Sequence, residues 1–242
     1  MIVLFTDFGN ADPYVGQLKA RLAQHAPAQL VVDLLHAVPD FNPHAGAHLL
    51  AALSAGFPPG AVFLAVVDPG VGLPRAAVVM TAGGRWFVGP DNGLLSVLAA
   101  RHSDTRLWRI TWQPAALSAT FHGRDLFAQI AAEIADGQFP NEKLVTLNKL
   151  DVEFDGGDLP RVIYIDHFGN AWTGLRDLSS DARVGVAGAL FKQSDTFGCV
   201  GKGEGFWFNN SAGLLEIAVN RGSAATTYGV KVGDRVTVQR PN

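Results

Sequence analysis

The hydrophobic period changes once along this chain, and that change limits the possible folds more than any other feature. Up to Gly137, short apolar runs alternate with segments of helical spacing. IVLF (2–5), LVVDLLH (30–36), AVFLAVVD (61–68), AAVVMTA (76–82), the start of RWFVGPDNG (85–93) and RLWRIT (106–111) have the length and β-branched content of buried strands. YVGQLKARLAQH (14–25), HAGAHLLAALSAGF (44–57), LLSVLAARH (94–102) and GRDLFAQIAAEIADG (123–137) read as helices, the last stopped by Gly137. Such alternation predicts an α/β layer with a mostly parallel sheet. The successive runs at 61–68, 76–82 and 85–88 place a hairpin inside it, so a mixed sheet is expected.

After the linker-like DGGDLP (155–160) the helical period disappears. RVIYIDHFGNAWT, ARVGVAG, GFWFNNS, LLEIAVN and DRVTVQR are short runs separated by Gly and Asn turns. They predict a smaller all-β sandwich or barrel. The expected domains are therefore 1–150 and 158–242.

A length of 242 residues with 48% hydrophobic and 17% charged residues argues against disorder. A net charge of −3 gives no reason to expect nucleic acid or a membrane as partner. The single cysteine, Cys199, excludes an internal disulfide and fits a reducing compartment. MIVLF is too short an apolar run for a signal peptide or a membrane span, so a soluble cytoplasmic protein is expected.

Asp7 and Asp68 each follow an apolar strand, at the strand end outside which open α/β sheets bind ligands. Either could instead cap a turn. Arg75 lies seven residues beyond Asp68, across Pro69, Gly70 and Gly72, close enough to face it as a fixed dipole. His122 precedes Gly123 and the long helix, where the dipole favours neutral imidazole; a capping or core role is the alternative. The DFG of TDFG lacks every other kinase motif. His25 and His102 are expected at the surface. His36, His44 and His48 show no metal-ligand spacing, and no metal site is expected. YIDHFGNAWT (164–173) gathers Asp166, Phe168, Asn170 and Trp172. That mixture suits a flat polar heterocycle, or merely a hairpin turning at Gly169-Asn170. Asn210, Ser211 and Glu216 lie near turns further on. GxGxxG, Walker and GxSxG motifs are missing, which removes support for dinucleotide, P-loop and α/β-hydrolase enzymes.

Taken in order, TDFGNADPYVG, VVDPGVG, GPDNGLL, TFHGRD, DHFGNAWT and NNSAGLLEIAVNRG resemble the S-adenosyl-L-methionine (SAM) hydroxide adenosyltransferases, relatives of fluorinating and chlorinating enzymes. The resemblance spans nearly the whole chain. It implies an α/β half and a β half, and cleavage of SAM to adenosine and methionine by water attack at ribose C5′. It places the family's catalytic triad on Asp68, Arg75 and His122. For the substrate it implies Asp7 on the ribose hydroxyls, Asp12 on the methionine ammonium and Phe41 over the ribose. Asp166 and Ser211 would hold the amino-acid end, Asn170 the adenine edge, and Trp172 or Phe168 the ring. Glu216 and the backbone around Val219 would complete the adenine side. Gly123 stands where the fluorinating enzyme has a halide-binding serine, and Asp68 where the halogenating relatives have tyrosine. Ala212 and Val219 replace arginines. The resemblance further implies no cofactor, and a homotrimer whose sites join the N-terminal half of one chain to the C-terminal half of its neighbour. A halide adenosyltransferase and a non-catalytic SAM or adenosine binder are the alternatives.

Overall fold

The computed structural model describes residues 1–239. The chain divides into two compact units: Met1–Ala51 with Phe57–Gly156, and Ala52–Gly56 with the chain from Gly157 onward.

The first unit is built on a seven-stranded mixed sheet. Its strands are β1 (Ile2–Thr6), β2 (Val31–Leu35), β3 (Val62–Val66), β4 (Ala77–Ala82), β5 (Arg85–Pro90), β6 (Arg106–Ile110) and β7 (Leu144–Leu147), in the order β2-β1-β3-β5-β4-β6-β7. The pairs β2-β1, β1-β3 and β3-β5 are parallel. β4 is antiparallel to β5 and β6, and β6 to β7. The expected hairpin is β4-β5. It turns through Gly83 and Gly84, whose φ of 55° and 72° suit a two-residue loop between twisted strands.

The helices are α1 (Pro13–His25), α2 (Pro43–Ser54), α3 (Ser96–Arg101) and α4 (Ala128–Ala135). Every residue of β1 and β3 is buried, as strands covered on both faces must be. On one face Ile2, Leu4 and Leu64 pack with Leu18 and Leu22 of α1 and Ile130 of α4. On the other, Phe63 stacks on Phe87 at 5.0 Å. Each large side chain so buried contributes about 1.5–3 kcal/mol of transfer free energy.

Three expected helices differ at their ends. The 44–57 segment stops at Ser54, ahead of Pro58 and Pro59, and the 94–102 segment shortens to Ser96–Arg101. The 123–137 segment opens with a wide π turn, Gly123–Phe127, before α4. β7 has no clear sequence signal, because LVTL is short and half exposed. His25 is exposed as expected, whereas His102 is half-buried against the Gly83 turn.

The second unit is mostly strand. β8 (Leu159–Ile165), β9 (Ala171–Gly174), β10 (Arg183–Val186), β11 (Ala189–Gln193), β12 (Gly205–Asn209), β13 (Leu215–Val219) and β14 (Thr237–Gln239) run in the order β14-β10-β11-β12-β13-β9-β8. All neighbouring pairs are antiparallel except β11-β12. The chain entering β14 returns to the far edge. Arg161 bridges Arg235, and the Val162 N–H donates to the Asp234 carbonyl at 2.9 Å. The sheet thus closes on itself around Val184, Phe191, Trp207 and Ile217, which is the barrel form of the two expected. A five-residue helix, α5 (Ala224–Tyr228), is capped by Ser223 Oγ, which accepts from the Thr226 N–H at 3.1 Å. Arg240, the last residue of the DRVTVQR run, lies outside the described residues. Among the described residues no helix is long and apolar enough to cross a membrane.

Candidate active site

β1 and β3 are parallel neighbours in register, with Thr6 opposite Val66. The residues just past their carboxyl ends, Asp7 and Asp68, therefore emerge side by side. Both line a cavity of about 670 Å³, as do Asp12, Phe41, His122 and Gly123. Folding thus brings together six of the residues implied by the resemblance, and a seventh, Arg75, touches two of them.

Asp68 and Arg75 form a buried pair. Arg75 Nε lies 3.0 Å from both carboxylate oxygens of Asp68, and Arg75 Nη2 bonds Oδ2. The side chains are 4% and 12% exposed, so the pair is shielded from screening by solvent. Arg75 Nη2 also donates to His122 Nδ1 at 3.1 Å. A guanidinium has no acceptor, so Nδ1 must accept and the neutral imidazole carries its proton on Nε2. Burial first, and the Arg75 charge second, hold the His122 pKa below its ordinary value.

The backbone explains why these three meet. Asn92 Nδ2 donates to the Val67 carbonyl at 2.8 Å, and the Asp91 N–H to the Ala76 carbonyl at 3.0 Å. The GPDNG turn therefore clamps both ends of the loop carrying Asp68 and Arg75. Gly72, at φ 81°, lets that loop lie on the His122 loop; a Cβ there would come within 2.6 Å of the Ala119 carbonyl. Asp125 secures the His122 loop by accepting from the Ser118 N–H at 2.9 Å and from Arg124. The π turn follows directly. Such turns recur at functional sites because they rotate the side chains that precede the regular helix.

Asp7 combines both of its possible roles, since it lines the cavity and its Oδ2 accepts from the Phe41 N–H at 3.3 Å. Burial pushes its pKa up, opposed by that bond and reinforced by the charges of Asp40 and Asp68. Phe41 sits in the left-handed region at φ 57° and is 75% exposed. A bulky residue held there signals a functional constraint. Asp12 stands at the N-terminus of α1 without capping it, so its carboxylate is left for the cavity. With Asp40 the cavity has four carboxylates, and its Arg124 is engaged by Asp125. The field favours a cation. Sequence reasoning missed Asp40 and the aromatic wall of Phe8, Tyr14 and Phe121, whose ring centroids lie 5.6–6.1 Å apart. Phe8 and Tyr14 stand inside TDFGNADPYVG and Phe121 inside TFHGRD, which was their signal, whereas Asp40 lies in none of the motifs.

The remaining implied residues lie on the second unit. Asp166 anchors the β8-β9 hairpin, its Oδ1 accepting from the Phe168 and Asn170 N–H groups at 2.9 and 2.8 Å. Its Oδ2 accepts from Asn170 Nδ2 at 3.1 Å. Gly169 is required at the turn, with φ 83° and no room for a Cβ beside Ser223. Trp172 stands directly opposite Glu216 of β13 and Tyr164 of β8, so all three side chains share one face. Glu216 is 4% exposed and bonded by Asn210 Nδ2 at 3.1 Å. Burial, with Asp166 adding to it, pushes its carboxyl up to about 7. Ser211 and Phe168 are exposed, while Val219 is buried in the barrel core.

His36 is held by Thr6 and Asp33, and His44 stacks on Phe154. Among the described residues no three His, Cys, Asp or Glu side chains are grouped to hold a metal ion.

Two family models match, the SAM hydroxide adenosyltransferase N-terminal domain over residues 2–144 and its C-terminal domain over 160–237. An (R)-S-adenosyl-L-methionine hydrolase of Thermus thermophilus is 41% identical, with 96% of each chain covered. A fluorinase of Actinopolyspora mzabensis is more distant, 29% identical over 99% of this chain and 97% of its own. The crystal structure of an uncharacterized conserved protein from Thermotoga maritima superposes with a TM-score of 0.90. It is 35% identical and covers 99% of this chain and 100% of its own.

Proposed function

We propose a function from one premise: the chain belongs to the SAM hydroxide adenosyltransferase family. It is an enzyme that hydrolyses S-adenosyl-L-methionine to adenosine and L-methionine. The observation that carries this reading is the hydrogen-bonded Asp68–Arg75–His122 constellation beside an acidic cavity.

Arg75 occupies one side of the Asp68 carboxylate, and the rest of its acceptor capacity is available to a water. The neutral His122 offers its Nε2–H to the same water. The two groups fix one oxygen in line with the C5′–S bond. Positioning of this kind contributes about 7–11 kcal/mol to such a step. The water oxygen bonds C5′, the C5′–S bond breaks, and its electron pair goes to sulfur, leaving methionine as a neutral thioether. One proton leaves the attacking water by way of the carboxylate to solvent. The sulfonium needs no acid to depart. Asp7 accepts the ribose hydroxyls, Asp12 the methionine ammonium, and Phe41 covers the sugar. Asp166 and Ser211 hold the amino-acid end, while Asn170, Trp172, Phe168, Glu216 and the Val219 backbone hold adenine.

Halide transfer is the second reading, raised by the fluorinase relative. Asp68 opposes it, repelling an anion at 4 Å by about 1 kcal/mol even in water and more in a dry site. Gly123 offers no hydroxyl, and a Cβ there would lie 3.2 Å from the Phe8 ring.

The reaction uses no metal or cofactor, the enzyme works in the cytoplasm, and it assembles as a homotrimer with sites shared between chains. Exposed Phe41 and Phe168, at 75% and 74%, support the assembly, because apolar side chains on substrate loops gain cover from a neighbour. The names of the hydrolase relatives point to the (R) epimer as substrate.

The test is turnover of SAM in oxygen-18 water, in chelator-treated, halide-free buffer, with mass spectrometry of the products. Adenosine carrying the heavy oxygen at C5′ is expected. Bound but uncleaved SAM would overturn the hydrolase reading. Separated epimers should differ at least about tenfold in favour of (R), and equal rates would remove that assignment. Sedimentation should give three chains.

A further inference from the structure

One buried histidine takes no part in the chemistry above, yet it lies at the root of two segments that line the cavity. These are the turn after β1, which carries Asp7, and the segment after β2, which carries Asp40 and Phe41. His36 is 5% exposed, with Nδ1 2.8 Å from Thr6 Oγ1 and Nε2 3.2 Å from Asp33 Oδ1. The other oxygen of Asp33 accepts from Lys19 Nζ at 2.9 Å. Facing a carboxylate, Nε2 carries the ring proton; in the neutral ring Nδ1 therefore accepts and the Thr6 hydroxyl donates. That hydroxyl accepts in turn from the Phe8 N–H at 3.3 Å. The His36 carbonyl accepts from the Gly9 N–H at 2.7 Å, and the Thr6 carbonyl from the Val38 N–H at 3.2 Å. The turn bearing Asp7 is thus pinned on both sides by one residue: at Phe8 through the Thr6 hydroxyl, and at Gly9 through the His36 backbone. The Phe41 N–H, which donates to Asp7 Oδ2, belongs to the segment that starts at His36.

We infer that His36 is a positioning residue: its Nδ1 orients the Thr6 hydroxyl, and the turn so fixed aims the Asp7 carboxylate at the ribose hydroxyls. This inference rests on the proposed role of Asp7 toward the sugar. A carboxylate discriminates for a diol only while its two oxygens are held in place, because a carboxylate free to swing regains its bonds from water when the hydroxyls are missing. Lys19, Asp33, His36 and Thr6 form one buried-to-surface relay that ends at this turn, and each link fixes the next. The bond that matters for the ligand is the one between Nδ1 and Thr6, while the bond between Nε2 and Asp33 sets which nitrogen accepts.

Calorimetric titration of the full-length protein with adenosine and with 2′,3′-dideoxyadenosine tests it independently of turnover. Wild type should prefer adenosine about 100-fold, as expected of a site built to bond the two hydroxyls. In His36→Gln the longer amide reaches the Nε2 position and faces Asp33, but the acceptor for Thr6 is lost. The preference should fall to within about fivefold, with KM for SAM raised about tenfold and kcat nearly unchanged. In His36→Asn the amide oxygen stands where Nδ1 was, and the preference should stay within about threefold of wild type. A folded Gln variant with the wild-type preference overturns the inference, as does an Asn variant that loses as much as Gln. Should the His36 variants fail to fold, Thr6→Val decides: it keeps the side-chain shape without the hydroxyl, and an unchanged preference overturns the inference. SAM cleavage by a wild type that binds both nucleosides alike would sink the inference and leave the hydrolase reading standing. The expected Gln and Asn pattern in a protein that does not cleave SAM would do the reverse.

Discussion

The two units treat their polar groups in opposite ways. In the first, Asp68, Arg75 and His122 satisfy one another, each link at or below 3.1 Å. In the second, Asn170 Oδ1 and Trp172 Nε1 are buried without partners. A group that must orient water at a reacting carbon works best when its own geometry is already fixed, because reorganisation during the step would raise the barrier. A group that recognises a ligand works best when its partner is missing from the free protein. The wrong ligand then leaves it unsatisfied, which costs about 1–3 kcal/mol.

Breaking the self-satisfied cluster should have the largest effect. Asp68→Asn replaces an acceptor-only carboxylate with an amide and leaves Arg75 buried without a counter-charge. Steady-state kinetics should show kcat lower by about 10³-fold, near 4 kcal/mol, with KM little changed. A loss under tenfold would mean the cluster is structural and would erase the contrast.

The second effect belongs to the other unit and is read in stability. The Glu216 carboxyl titrates near 7 in the folded chain, against 4.5 for an ordinary glutamate. The folded state therefore binds more protons between these values, and stability must fall as pH rises from 4.5 to 7. At about 1.4 kcal/mol per pH unit the total approaches about 3 kcal/mol. Denaturant melts of Glu216→Gln should lose that slope. An unchanged slope would show that Glu216 ionises freely.

Sharpening the role of His122 comes third. Its pKa lies below the ordinary 6.5, held down by burial and by Arg75. Protonation would fill the Nδ1 acceptor and place a cation beside a guanidinium, so kcat/KM should stay level to below pH 6.5 and fall only beneath it. His122→Gln should lower kcat about 100-fold and remove that acid limb. An acid limb that persists would assign it to another group.

Phe41 gives the smallest effect and carries the contrast within the first unit. Its φ of 57° is strained for an aromatic residue. Phe41→Gly should raise folding stability by about 1 kcal/mol while raising KM about tenfold. A variant gaining neither would mean that the turn is unstrained and the ring idle.

Much of this layout was legible in the residues. Asp7 and Asp68 were marked by their place after IVLF and AVFLAVV, because a buried parallel strand can only release a charged side chain at its end. The β4-β5 hairpin followed from two apolar runs around Gly83-Gly84. β11 was missed because ALFKQ is short and follows β10 through Ala187-Gly188, where an alanine at φ 50° gives no turn signal. The π turn after His122 was invisible because its sequence, GRDLF, reads as the opening of a regular helix. Asp40 was missed because it belongs to no apolar pattern, and only the return of its loop over β1 puts it in the cavity.

By itself the sequence determined the change of architecture near residue 150, the family, and which side chains carry charge at strand ends. These depend on local periodicity and on motif order, which a linear chain displays directly. Tertiary structure decided what each side chain is bonded to. Asn92 clamps the Asp68 loop through the Val67 carbonyl from 25 residues away, and Arg75 reaches His122 across 47. The amide of Asn170 is oriented by Asp166 four residues before it, and Glu216 is held by Asn210 across the turn that precedes β13. Hydrogen bonds act over about 3 Å, so their partners are set by how strands and loops come together in space, and spacing along the chain does not encode them.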